Sequence, residues 1–444
     1  MERELKLALL ICVALAAVGC GDSSSSPAKG GSGGSGGTAG SGGEGGAGGE
    51  SGMLGSPALD PLAATPRYAV VSTDFSSSSI AMLDQDFLVI DESWLNSGTT
   101  YPGLVATLSG DVVLPNRQAG DGTFAVIDRY FTDVVTRFFV PSGNGDSGFS
   151  SNPQDFIFAN EESAWVPRYE SNLNPSAPAE NQGNDLLEIH PADMSPTGAR
   201  IDLSSLNTTA SVMGPGGPIE VTVFARPSRG VLVGSTLVVG LDRISANFDA
   251  AGPGMVAVVD LDDESVSSVE LQGLQSCGNA VPVPGAPTKI VVACVGFANP
   301  FGDEPQVRAS SGIALLDVGE SGVTVDRVWR LADHPTAAIA VNSVAAIDGQ
   351  RVVGVATGDF VTTVDELYLI DLAIGAQELV HDSTGSFVIG LSAYDPDSEM
   401  LYVPDVAENA VVEFAVDEDS FVETGSTEIA PGLSLPPAKV YLLD

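Results

Sequence analysis

Few side chains in this chain are able to do chemistry, and their spacing limits what they could do. There are three histidines, His190, His334 and His381, each separated from the next by many residues. A metal centre built on them would need the fold to gather three distant segments, so no metal site is assigned. Four cysteines occur, at positions 12, 20, 277 and 294. Without a Cys-x-x-Cys pair, dithiol redox chemistry is not expected. Cys277 and Cys294 flank CGNAVPVPGAPTKIVVAC, which reads as a hairpin turning between Gly285 and Ala286. That turn would set the two cysteines opposite one another on paired strands, so a disulfide is expected in an oxidising compartment. Gly145-Asp146-Ser147-Gly148 has the form of a serine nucleophile loop. It lies in a Gly/Ser/Asp-rich stretch with no matching histidine motif, so no catalytic residue is assigned. The acidic runs 260–264 and 417–419 lack the Asp-x-Asp-x-Asp-Gly spacing of a calcium loop and read as solvated turns.

The elements that must position these residues come from a repeat. Its clearest copy is MVAVVDLDDESVSSVEL at 255–271: an apolar strand ends in Asp260, an acidic turn follows, and a second strand returns. Related phrases begin at Ile80, Phe124, Leu186, Gly312, Leu367 and Val411. The residues that close the apolar strand are Asp84, Asp128, His190, Asp260, Asp317, Asp371 and Asp417. Each aspartate is expected to cap turn amides rather than to catalyse. From residue 67 to 444 the chain reads as strand after strand, with no helical period.

Grouped in fours, the strands leave the first group one short (67–91) and one strand over at the end, AKVYLLD (438–444). The fourth group reads EVTVFA, VLVGSTLVVGL, MVAVVD, SVSSVEL. A ring of four-stranded blades latched by its two ends accounts for this arithmetic, whereas a string of β-sandwich domains does not. The expected fold is therefore an all-β, seven-bladed propeller closed by the C-terminal strand pairing into the first blade. The VAVVD, ALLD and LYLID phrases resemble seven-bladed propellers of the YVTN/lactonase-like kind, which occur in many exported bacterial proteins. The resemblance covers nearly all of 67–444 and implies a fold, not an activity.

Residues 1–20, MERELKLALLICVALAAVGC, combine a short charged start with an apolar run too short to span a membrane comfortably. Ala17-Val18-Gly19-Cys20 resembles the lipobox of bacterial lipoproteins. The resemblance implies cleavage after residue 19, loss of Cys12 with the signal, and lipid attachment at Cys20. Each buried acyl methylene would contribute about 0.8 kcal/mol to anchoring. The Gly/Ser stretch that follows, within 20–60, cannot build a core. It is expected to act as a tether with a mean span of about 35 Å and a taut reach near 120 Å. The body occupies 61–444, and the expected address is the cell envelope, periplasmic or cell-surface side.

Charge excludes several partners. The net charge is −40, and the lysines are Lys6, Lys29, Lys289 and Lys439 alone. Such a surface repels nucleic-acid phosphates and anionic lipid heads, leaving the lipid anchor as the expected membrane contact. Within the repeat, the third, fourth and fifth groups carry long connections between their second and third strands, 169–184, 243–254 and 298–310. Loops on a rigid scaffold are where binding sites are built. Tyr169, Arg243, Phe248, Phe301 and Arg308 are the candidate ligand-binding residues, for a protein, glycan or small-molecule ligand. The expected role is thus a binding or scaffolding module needing no cofactor. The competing role is a lactonase-like hydrolase, to which a calcium ion could belong. Converging carboxylates, His or Arg at a channel mouth would favour the hydrolase, and an apolar or aromatic patch on the long loops would favour the binding module.

Overall fold

The computed structural model describes residues 65–443 with internal gaps, among them 97–105, 117–122, 128–133 and 140–148. The signal-like segment, Cys20, the tether, Ser147 and Phe301 fall outside the described residues. The described chain forms seven four-stranded antiparallel sheets and one two-stranded sheet. None of the described helices is long and apolar enough to cross a membrane.

From the second sheet through the seventh the strands follow chain order, and the first strand of each touches the first strand of the next. These inner strands are Ala106–Leu108, Ile157–Asn160, Pro227–Val233, Asn279–Pro282, Ala340–Ala346 and Ala393–Asp395. In the fourth sheet, Met255–Asp260 lies between Thr236–Leu241 and Ser265–Glu270, and none of its residues is exposed. Val256 and Val259 point to opposite faces and both are fully buried, because neighbouring sheets cover both sides. The outer strand Ser265–Glu270 is mostly exposed, as a strand with one free edge should be.

The first sheet joins the two ends of the body. Its order is Val89–Asn96, Ser78–Leu83, Tyr68–Thr73, Pro437–Leu442. Tyr68 faces Leu442 and Val70 faces Val440, so the last strand takes the inner place. It also reaches the seventh sheet, where Val440 N–H donates to Leu391 O at 2.9 Å. A second tie joins these sheets. Tyr68 OH donates to Asp395 Oδ2 at 2.5 Å, and Arg67 Nη2 donates to Asp395 Oδ1 at 3.0 Å and Asp397 Oδ2 at 2.7 Å. Beside them Phe87 stacks on Tyr402 at 3.9 Å, with Tyr68 against both rings. Burial pushes the Asp395 carboxyl up, but the Arg67 and Tyr68 donors outweigh it and hold the group below its ordinary value.

Three expectations need correction. Residues 220–223 do not open the fourth sheet. They belong to the hairpin Thr208–Gly214/Gly217–Val223, which stands outside the four-stranded sheets. The fourth sheet instead makes two strands from the one segment VLVGSTLVVGL and its approach, turning at Gly234, whose φ of 61° suits glycine. A helix also occurs, Glu304–Ser310, in the long connection of the fifth sheet. Its seven residues are too few to display a period in the sequence.

The third correction is one of register. Cys277 and Cys294 are bonded, with Cα atoms 4.0 Å apart and both residues fully buried. They are diagonal neighbours rather than directly opposed. Asn279 pairs with Ala293, so the hairpin is centred on Ala286, and Val283 N–H closes it onto Lys289 O at 3.2 Å. Cys277 lies beyond the hairpin, where its N–H donates to Leu241 O of the fourth sheet at 3.1 Å. Replacing both cysteines by serine should lower stability by about 3 kcal/mol or more, since two hydroxyls are then buried as well, and the melting temperature by about 4 °C or more. Thermal melts of the variant against the oxidised parent check this.

Candidate functional site

The site is built where the long connections of the third and fourth sheets meet the extra hairpin. In the third sheet, Ser163–Ser171 ends in Tyr169-Glu170-Ser171, and the chain returns at Gly183. Gly183 has φ 63°, and a Cβ there would lie 2.1 Å from Glu170 O, so only glycine lets the loop close this tightly. In the fourth sheet, Thr236–Leu241 runs into Asp242 and Arg243, and the chain returns at Gly254. Between the two sheets lies Phe224-Ala225-Arg226, joining the hairpin to the inner strand Pro227–Val233.

Arg226 is the centre of the arrangement and is 1% exposed. Its guanidinium lies over the Tyr169 ring at 4.8 Å and the Phe248 ring at 4.4 Å, a cation–π contact on two sides. In its plane, Nη1 donates to Glu170 Oε1 at 3.0 Å, Nε to Ile244 O at 3.1 Å and Nη2 to Ser245 O at 3.2 Å. One fork thus ties the connection of the third sheet to that of the fourth, which a lysine could not do with its single point charge. Burial opposes the Arg226 charge, yet Tyr169 and Glu170 outweigh it and hold the pKa above its ordinary value. Burial pushes Glu170 and Tyr169 upward.

The backbone here is held in uncommon conformations. Asn184, Arg226, Arg243 and Phe248 have φ values of 54°, 51°, 49° and 56°, the left-handed region that side chains other than Gly rarely occupy. Asn184 Oδ1 accepts from Arg226 N–H and Asn207 Oδ1 accepts from Ala225 N–H, each at 2.8 Å, while the two side-chain amides bond each other at 3.1 Å. Such residues persist where their surroundings fix them, and they gather at sites of function.

Beside this clamp is an open cleft of about 210 Å³, lined by Leu173, Val221, Phe224, Ala246 and Asn247 among others. The hairpin supplies one wall. Val212 and Val223 pack with Ala250 of the fourth-sheet connection. Farther along the same face Ile219 is 50% exposed, and across the cleft Leu173 is 66% exposed. A continuous apolar strip therefore runs from buried hairpin root to solvent.

The five expected ligand residues divide as follows. Tyr169 and Phe248 come together on Arg226, but Tyr169 is fully buried and supports the loop instead of facing solvent. Arg243 is nearly buried and pins its own loop to the hairpin root, donating to Pro253 O at 3.1 Å and Leu206 O at 3.0 Å. Arg308 stands apart. It donates to Thr336 O and Ala338 O, both at 2.6 Å, and to Leu331 O and His334 O, joining the fifth and sixth sheets. Phe301 lies outside the described residues.

The other chemical candidates are dispersed. His190 ends the strand Gly183–His190, His334 stacks on Trp329 at 4.7 Å, and His381 lies in the outer strand of the sixth sheet. On the inner strands, Arg229 Nη2 donates to Tyr441 OH at 3.4 Å between the fourth and first sheets, and Lys439 is on the same strand as Tyr441. Asp155, next to them in the third sheet's approach, accepts Phe156 N–H at 2.9 Å and Gly230 N–H at 3.1 Å on its two oxygens. The closing aspartates behave as turn caps at Asp84, Asp260, Asp371 and Asp417, each accepting an amide from its own turn. Asp317 does not, because its strand runs on to Gly319, and it pairs with Lys289 at 3.6 Å.

No protein-family model and no curated protein matches the chain. Solved structures do. The chain is similar to a provisionally assigned 6-phosphogluconolactonase from Bacteroides fragilis, at 9% identity and TM-score 0.52, covering 87% of this chain and all of that one. It is similar to a protein from Lactobacillus plantarum at 15% identity and TM-score 0.53, over 85% of this chain and all of that one. Hydrazine synthase of Kuenenia stuttgartiensis aligns at 14% identity and TM-score 0.52, over 83% of this chain and 99% of that one. The fold is a β-propeller. At these identities the likeness extends to fold alone.

Proposed function

We propose that the protein is an exported, lipid-anchored, seven-bladed propeller, its ring closed by the C-terminal strand, that serves as a binding module at the cell envelope. Cys20 carries the anchor, the Gly/Ser segment spaces the body from the membrane, and the ligand face is formed by the connections of the third to fifth sheets. The observation that carries this reading is the apolar cleft at the junction of two of those connections, held by the Arg226 clamp. Its volume of about 210 Å³ is below the roughly 300–1,000 Å³ of pockets that enclose whole small ligands. It suits an apolar or aromatic side chain projecting from a larger partner. Asp155 supports the hydrolase reading less well, since backbone amides already occupy both of its oxygens.

Leu173→Asp combined with Ile219→Asp tests the reading. Both side chains are exposed, so the fold should be unaffected within about 0.5 kcal/mol each. Retention of an envelope-protein partner on the immobilised chain should weaken at least tenfold, equivalent to about 1.4 kcal/mol. Equal retention by parent and variant would remove the cleft from the ligand face.

A further inference from the structure

We propose that His381, Asp405 and Glu408 form a binding site for a zinc-class divalent cation between the sixth and seventh sheets. His381 is in the outer strand Ala376–Asp382 of the sixth sheet. Asp405 ends the second strand of the seventh, Met400–Asp405, and Glu408 is in the turn that follows. One ligand atom from each falls within 4.8 Å of the others.

His381 Nε2 and Asp405 Oδ2 are 3.3 Å apart. A tetrahedral ion with bonds of about 2.0–2.1 Å holds adjacent ligand atoms about 3.4 Å apart, so this pair already has the separation of two vertices. Both groups are fixed beforehand. The Asp405 side chain is fully buried, and its Oδ1 accepts the amides of Ala407 at 2.8 Å and Glu408 at 3.3 Å, which aims Oδ2 at the imidazole. The His381 side chain is 8% exposed, and its ring meets Phe414 edge-on at 5.9 Å. Such outer-shell contacts hold ligands in register for a metal. Glu408 is exposed, and one of its carboxylate oxygens lies within 4.8 Å of the other two ligand atoms.

A His–Asp hydrogen bond alone would need no third partner. Here a second carboxylate accompanies the pair, giving two negative charges around one imidazole. One imidazole nitrogen and two carboxylate oxygens suit zinc, cobalt or nickel and disfavour calcium and magnesium, which take all-oxygen shells. Water would supply the fourth ligand. With ligands from both sheets, a bound ion would join them as a cross-link.

Zinc titration of the full chain by calorimetry, with cobalt as the spectroscopic substitute, tests the site. One equivalent is expected to bind, to raise the melting temperature and, as cobalt, to show a tetrahedral ligand-field band. Glu408→Gln, on the surface and harmless to the fold, should weaken zinc at least tenfold. His381→Gln should lower the zinc stoichiometry by one equivalent and remove the thermal shift. An unchanged affinity in E408Q, or an unchanged stoichiometry in H381Q, overturns the proposal.

Discussion

A chain ending at residue 436 is expected not to reach the native fold. The missing strand is the inner strand of the first sheet and the partner of Tyr68–Thr73, all six residues of which are buried. Without it, that strand becomes an exposed apolar edge, the arrangement that recruits other chains. Val440 and Leu443 lose burial worth about 1.5–3 kcal/mol each. Each lost ladder hydrogen bond removes roughly 1 kcal/mol more. Together these approach the 5–15 kcal/mol or so by which a whole domain is stable. The truncated chain should elute as aggregate and show no cooperative melt.

A circular permutant separates loss of the strand from loss of chain length. Leu443 N–H donates to Arg67 O at 2.8 Å, so the end of the last strand lies beside the start of the first. Moving 437–443 ahead of residue 67 through a short Gly/Asn turn would make the pair an ordinary hairpin. This permutant should melt close to the parent. A truncated chain that melts like the parent, or a permutant that fails to fold, would show that the strand pairing is not what holds the body together.

The pairing of the last strand into the first sheet was legible because it is arithmetic: three strands at one end and one at the other. Turn-capping aspartates were legible because their chemistry is local, as Asp260 and Asp371 show. The extra hairpin was missed although Gly214-Pro215-Gly216-Gly217 is a turn signal between two strand-like runs. In a grouping by fours its second half fills the place of the first strand of the fourth sheet. The short helix Glu304–Ser310 was hidden by its length. At the site, sequence spacing marked the loops that carry Tyr169 and Phe248, but it could not say that both rings face a guanidinium. Arg226 is a single arginine in a short connection, and its acceptors are backbone carbonyls 18 and 19 residues away and a carboxylate 56 residues away. The His381–Asp405–Glu408 group is equally silent in sequence, since a strand of one sheet meets a turn of the next. Side-chain constellations assembled across sheets have no period to read.

Replacing Arg226 is expected to have the second-largest effect, and the choice of substitute decides what it reveals. Arg226→Ala removes three hydrogen bonds and the filling between two rings, and leaves Glu170 without its cation. Breaking a buried pair costs about 3–5 kcal/mol. The Glu170 side chain keeps 24% exposure, so water relieves part of that loss and about 3 kcal/mol is expected. Arg226→Lys keeps the charge but cannot supply the planar fork, and should recover less than half of the deficit. Arg226→Gly should be less damaging than Arg226→Ala by up to about 1 kcal/mol, since glycine takes φ 51° without strain. Arg226→Met with Glu170→Gln should cost less than the two single changes summed, because each single change strands a charge and the pair together strands none. Urea denaturation of the set measures each difference. If Arg226→Met alone matches the parent in stability and in partner retention, the two connections are held by their backbones, and the cleft owes nothing to the clamp. A loss of retention that exceeds the loss of stability would instead mean that the guanidinium holds the two loops in the spacing a partner reads.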